Sequence, residues 1–123
     1  MKRLLALVLA LLVGVHILSA SESLRRPAAA IEESLLRLAP RGSSVEEVLR
    51  AIEAKGWKHD FIHETGFLKQ EGSKPMEVVG KKSIHAHLGE YGLILKTSVD
   101  AFWGFDGEGK LLEVWVWKTT DGP

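Results

Sequence analysis

The sequence predicts an α+β domain: an N-terminal helix hairpin packed on one face of a three-stranded antiparallel meander, four-stranded if residues 57–80 add a strand. Three observations predict it. Apolar residues recur at helical spacing between Pro27 and Lys55. They switch to strict alternation from Ile84 onward, and turn-forming residues separate the runs.

A different kind of segment precedes the domain. Lys2 and Arg3 stand ahead of an unbroken apolar run from Leu4 to Val13, and the small residues Ser19, Ala20 and Ser21 follow. A basic start, a short apolar stretch and a small-residue exit are the parts of a secretory signal. Cutting after Ser21 leaves the small pair Ser19 and Ser21, so residues 1–21 read as a signal peptide and residues 22–123 as a single exported α+β domain. The alternative is an uncleaved anchor. Carried on through Ile17 and Leu18, the apolar stretch reaches ~15 residues, interrupted by Gly14 and His16, against the ~20 a spanning helix needs. The expected location is therefore periplasmic or secreted, with a membrane attachment only through residues 4–18 if the segment is retained.

The chain has no cysteine. That removes disulfides, thiolate metal sites, thiol nucleophiles and the lipid-modified cysteine of a lipoprotein. Without Lys2 and Arg3, 14 basic residues face 16 acidic ones. A balance so near neutrality offers no electrostatic reason to expect nucleic acid as a partner.

The first helix is expected from about Pro27 to Ala39. Ile31, Leu35 and Leu38 recur at spacings of four and three, with Glu32, Glu33 and Arg37 elsewhere, and Pro40-Arg41-Gly42 ends the run. The second helix has sharper limits. Ser44 with Glu47 forms a capping box, Val45, Val48, Leu49 and Ile52 make an apolar face, and Gly56 stands where a left-handed cap belongs. A turn of four or five residues between them predicts an antiparallel hairpin.

Residues 57–80 mix Trp57, Phe61, Ile62, Phe67 and Leu68 with charged residues, and Gly66, Gly72 and Pro75 punctuate them. This stretch reads mostly as loop. Beyond it, Ile84, Ala86 and Leu88 alternate with His85 and His87. Val99, Ala101, Trp103 and Phe105 alternate with Asp100, Phe102 and Gly104, and Leu112, Val114 and Val116 alternate with Glu113, Trp115 and Trp117. These are three strands, the last two joined by the turn Asp106-Gly107-Glu108-Gly109. Pairing Phe105 with Lys110 sets Trp103 opposite Leu112, Ala101 opposite Val114 and Val99 opposite Val116, all apolar and all on one face. A one-residue slip would mix the faces.

That register leaves Phe102, Trp115 and Trp117 on the face turned away from the helices. Large aromatics are enriched at the centres of protein interfaces, so these three are the candidate partner-binding residues, for another protein or a second copy. The competing expectation is that residues 57–80 fold over this face, with Phe61 or Phe67 packed against it. His85 and His87 share the same face, with Asp100 beside them by register. A metal or a small molecule there is the alternative function. His59 and His63 would join Asp60 or Glu64 around a metal only if that stretch were helical. No cofactor motif is present, and no Ser, Lys or carboxylate pair stands in a recognisable catalytic arrangement. Glu32-Glu33 and Glu46-Glu47 read as solvated helix positions. The expectation is a non-enzymatic domain with no cofactor and no assigned metal ligand.

Two short motifs carry a resemblance. Gly42-Ser43-Ser44 with Val45 and Val48 opens the second helix, and Phe102-Trp103-Gly104-Phe105-Asp106-Gly107-Glu108-Gly109-Lys110-Leu111 forms the final hairpin. Together with the order of elements, they resemble the SmpA/OmlA family of small outer-membrane-assembly lipoproteins and the repeat unit of β-lactamase inhibitor protein. The lipoprotein cysteine of the first family is missing here. The resemblance implies a non-catalytic domain that binds proteins or supports envelope machinery.

Overall fold

The computed structural model describes residues 23–60 and 62–121. The expected signal or anchor, residues 1–21, and Phe61 lie outside the described residues. Among the described residues are two helices, a four-stranded antiparallel sheet and a separate two-stranded one.

Helix α1 spans Ala28–Leu38 and α2 spans Val45–Lys55. The Pro27 carbonyl accepts from Ala30 and Ile31, so the proline opens α1 at no cost in amide bonds. At α2 the capping box forms as the residues predict: Ser44 Oγ accepts from the Glu47 amide at 3.1 Å, and Glu47 Oε1 accepts from the Ser44 amide at 3.4 Å. Gly56 closes α2 at φ 72°, a left-handed conformation that costs glycine nothing.

The strands are β1 (Lys58–His59), β2 (Phe67–Lys69), β3 (Glu77–Val79), β4 (Lys82–Tyr91), β5 (Thr97–Phe105) and β6 (Leu111–Thr120). The main sheet runs β1-β4-β5-β6, and β2 pairs only with β3. Its aliphatic face is buried with the helices in one core. Ile31 and Leu35 of α1 and Val48 and Ile52 of α2 join Ile84, Ala86, Val99, Ala101, Trp103, Phe105, Val114 and Val116. Helix α1 lies against β6.

Residues 57–80 are mostly loop, as expected, but they also supply three short strands: β1, which extends the sheet to four strands, and the β2–β3 hairpin. The register of β5 on β6 differs from the expected one by two residues. Trp103 faces Val114 and Ala101 faces Val116, while Phe102 faces Trp115 and Asp100 faces Trp117. Two single-residue steps make the offset: the turn is one residue longer, so that Phe105 pairs with Leu111 in place of Lys110, and a β-bulge at Leu112 follows, with Gly104 paired to Glu113.

Two sets of backbone bonds hold the bulge. The Asp106 carboxylate accepts from the Glu108 and Lys110 amides at 2.9 and 3.0 Å, so Lys110 is consumed by the turn. Leu111 exchanges amide bonds of 2.8 Å with Gly42 and Ser43 of the interhelical turn. Leu111 is thereby drawn into the core at 2% exposure, and Leu112, expected inside, stands 45% exposed. A shift of two preserves every face further along, because side chains alternate with period two.

Candidate functional site

The outer face of the sheet carries two connected clusters, one aromatic and one of histidines and carboxylates. Phe102 on β5 and Trp115 on β6 are cross-strand partners with ring centroids 5.4 Å apart. Trp117 continues the row, its ring 6.0 Å from Trp115 and nearly parallel to it. All three candidate partner-binding residues therefore share the expected face.

The β2–β3 hairpin covers part of that row. Phe67 stacks on Trp115 at 6.0 Å and meets Phe102 at 5.6 Å. Phe67, Val79 and Trp115 form a second buried cluster, with Phe102 half-buried against it. Such aromatic contacts contribute about 0.5–1.5 kcal/mol each beyond the area they bury. Gly104 makes the close approach possible. A Cβ at that position would lie 2.9 Å from Val79 Cγ1 and 3.0 Å from Phe67 Cε1.

A charged clasp closes the same flap. Lys69 Nζ lies 3.0 Å from Glu71 and 2.8 Å from Glu113 of β6. Burial alone would lower the Lys69 pKa, but the bonds to Glu113 and Glu71 prevail and raise it. The result divides the aromatic row: Trp115 is 7% exposed beneath the flap, and Trp117 beyond it is 49% exposed. The covering of Trp115 had a signal in the sequence. Phe67 and Val79 lie on opposite sides of a polar, glycine- and proline-bearing turn, and pairing them turns Leu68 and Val78 outward together.

The histidines lie at the other side of Phe102. His85 stacks on that ring with centroids 4.7 Å apart. Its Nε2 is 2.9 Å from Asp100 Oδ1, and its Nδ1 is 3.0 Å from Asp60 Oδ2. An ionised carboxylate only accepts, so bonding to both requires the imidazolium form. Burial disfavours that form, but the two carboxylates outweigh it, and the His85 pKa is raised. In return, the bond from His85 holds the Asp60 carboxyl below its ordinary range, against a small opposing effect of burial. His87 Nδ1 also reaches Asp100 Oδ1, at 3.3 Å.

Asp60, His63, Thr65, Ser83, His85 and Phe102 line a shallow groove of about 340 Å³ at the edge of the flap. His59 lies on β1 and His63 bridges to Ser83, so the helical spacing that would have converged them does not exist. Among the described residues, no three His, Asp or Glu side chains are placed to hold a metal ion. His85 and His87 converge on the same oxygen, Asp100 Oδ1, so the point they share is occupied by a carboxylate. In its protonated form His85 donates from both nitrogens to Asp60 and Asp100 and has no lone pair to receive a further proton. Asp60 was not foreseen as its partner, because 25 residues separate the two and only the pairing of β1 with β4 joins them.

No family model matches this chain, and no curated protein or solved structure matches it either. Function must be argued from the surface itself.

Proposed function

We propose that this chain is an exported, non-catalytic accessory domain of the bacterial cell envelope that binds a protein partner, with Trp117 as the contact residue. In this reading its two helices pair as a hairpin behind the sheet and leave the opposite face for recognition. That is the role implied by the resemblance to SmpA/OmlA-like and β-lactamase-inhibitor-protein-like domains.

One observation carries the reading. The aromatic row Phe102–Trp115–Trp117 is capped by Phe67 over its first two members and left open at the third. A large aromatic buries about 150–250 Å² in all, and roughly half of Trp117 is still open to a partner, which suits tryptophan as an anchor of binding energy. Phe102 and Trp115 then serve as the rigid base that orients Trp117, and the contact itself falls on Trp117.

Crosslinking in envelope fractions, followed by affinity purification with native and Trp117→Ser chains, tests the proposal. The expected result is a protein that the native chain retains and the variant loses while still folded. A partner retained equally by both rejects Trp117 as the anchor. A homodimer lost in the variant supports the face and identifies the occupant as a second copy.

A second reading rests on the groove beside the His85–Phe102 stack: a small ligand or metal held on the sheet face that carries His85 and His87. Zinc, copper and a small-molecule panel, read by thermal shift against a His85→Phe, His87→Phe double variant, separate it from the first.

A further inference from the structure

The loop between β4 and β5 is the most apolar exposed point among the described residues. Leu93 and Ile94 are 96% and 95% exposed, and Leu95 stands partly exposed beside them. Isolated apolar side chains are ordinary on a surface, but consecutive ones at full exposure gain nothing from folding. The loop is nonetheless held in shape. Tyr91 pairs with Thr97 at its base, Gly92 adopts φ 113° beneath Leu95, and the Asp121 amide donates to the Lys96 carbonyl at 3.0 Å.

A cationic collar surrounds that base. The Arg25 guanidinium sits 4.9 Å over the Tyr91 ring. Lys118 Nζ donates to the Leu24 and Arg26 carbonyls at 2.9 and 2.6 Å and to the Tyr91 hydroxyl at 3.2 Å. Lys96 belongs to the loop itself. Against Arg25, Arg26, Lys96 and Lys118 stand Glu90, which faces His87 at 3.9 Å, and Asp121. An apolar tip behind a basic ring is the pattern of a peripheral contact with anionic lipid.

The first described residues, Ser23 to Arg26, lie at the same end of the domain. Leu24 and Arg26 are tied to Lys118 at the base of the loop, so the chain before Ser23 enters here. The apolar run of residues 4–18 ends five residues earlier, and five extended residues reach less than about 18 Å. Any membrane engaged by that run lies within reach of the tip, and the tether would raise the tip's effective concentration at the surface.

We propose that the Leu93-Ile94-Leu95 tip, framed by Arg25, Arg26, Lys96 and Lys118, docks into the surface of an anionic lipid bilayer. The tip enters the headgroup–acyl boundary while Arg25 and Lys96 reach the headgroups. Lys118, whose ammonium donates to Leu24, Arg26 and Tyr91, and Arg26, whose guanidinium donates to Ser23 and Ser34, add positive charge from within the domain. The β4–β5 end of the sheet therefore faces the membrane. The turn between β5 and β6 then points away, about 30 Å distant along the strands. This inference does not depend on Trp117 binding a protein.

The absence of cysteine makes a clean test possible. Full-length chain carrying Ile94→Cys is labelled with an environment-sensitive fluorophore and mixed with phosphatidylglycerol/phosphatidylethanolamine vesicles. A Glu108→Cys label on the β5–β6 turn serves as control. The expected result is a several-fold, blue-shifted rise at position 94 and none at 108, weaker on phosphatidylcholine and weakened by salt. Adding Leu93→Ser to the Ile94→Cys chain should lower the vesicle dependence about tenfold. A label at 94 that stays in water while the chain sediments with the vesicles overturns the proposal, as does a chain that does not sediment with them. A signal that rises with protein concentration in the absence of lipid also overturns it, in favour of a second copy at the tip.

Discussion

Glu32 Oε2 on α1 accepts the backbone N–H of Val116 on β6 at 2.8 Å. Among the described residues no strand pairs with β6 on its outer side, so this carboxylate satisfies an amide that the sheet leaves over. The bond joins the helical layer to the sheet at the residue where the core closes, since Val116 itself is buried. Burial raises the Glu32 pKa, partly countered by the Val116 bond.

Replacing Glu32 by alanine leaves the Val116 amide buried without an acceptor and should cost about 1–3 kcal/mol in urea unfolding. Glu32→Gln keeps an acceptor oxygen and removes the buried charge. It should therefore match or exceed the native stability near neutral pH. Equal losses in both variants would show that the carboxylate, and not the satisfied amide, is what matters.

His85 makes stability depend on pH. Its folded-state pKa is raised, so its contribution is fully present below the unfolded value of about 6.5 and is lost as pH rises through the folded value. Asp60 behaves in the opposite sense: its lowered pKa gives a contribution present above about 3.9 and lost on further acidification. The apparent Tm should fall as pH rises above about 6.5 in the native chain. In a His85→Phe variant that fall should flatten. An unchanged alkaline slope would assign it to another group.

Gly104 sets the height of the flap. An alanine there would press on Val79 and Phe67, and lifting them should cost about 1–3 kcal/mol. Hydrogen exchange should quicken at Phe67 to Lys69 before it quickens in β5. Protection lost first in β5 would mean that the strand yields rather than the flap.

Trp115 and Trp117 should separate folding from recognition. Trp115→Ala empties a buried site and should cost about 3–5 kcal/mol, whereas Trp117→Ala should change stability by less than about 1 kcal/mol. Chemical denaturation of both variants checks the contrast. Equal losses would place Trp117 in the core.

The helix ends, the strand faces and the mixed α+β class were all legible from residue order. Capping, hydrophobic period and turn chemistry act between near neighbours, so Ser44 with Glu47, Gly56, and the alternation from Ile84 to Trp117 state them directly. What lies between distant residues was not legible. The two-residue offset came from Gly42 and Ser43 bonding to Leu111, and of the two expectations for the aromatic face it was the packing of Phe67 and Val79 on Trp115 that decided for a cover. The His85 clamp came from Asp60. Each depends on which segments meet in space, and a local pattern is equally satisfied by several such meetings. The sequence by itself determined which sides of β4, β5 and β6 are apolar, with Leu112 at the bulge as the exception. Only the tertiary structure decided that Trp115 is covered and Trp117 open, because covering a face requires a second element to be brought to it, and that choice belongs to the whole chain's packing.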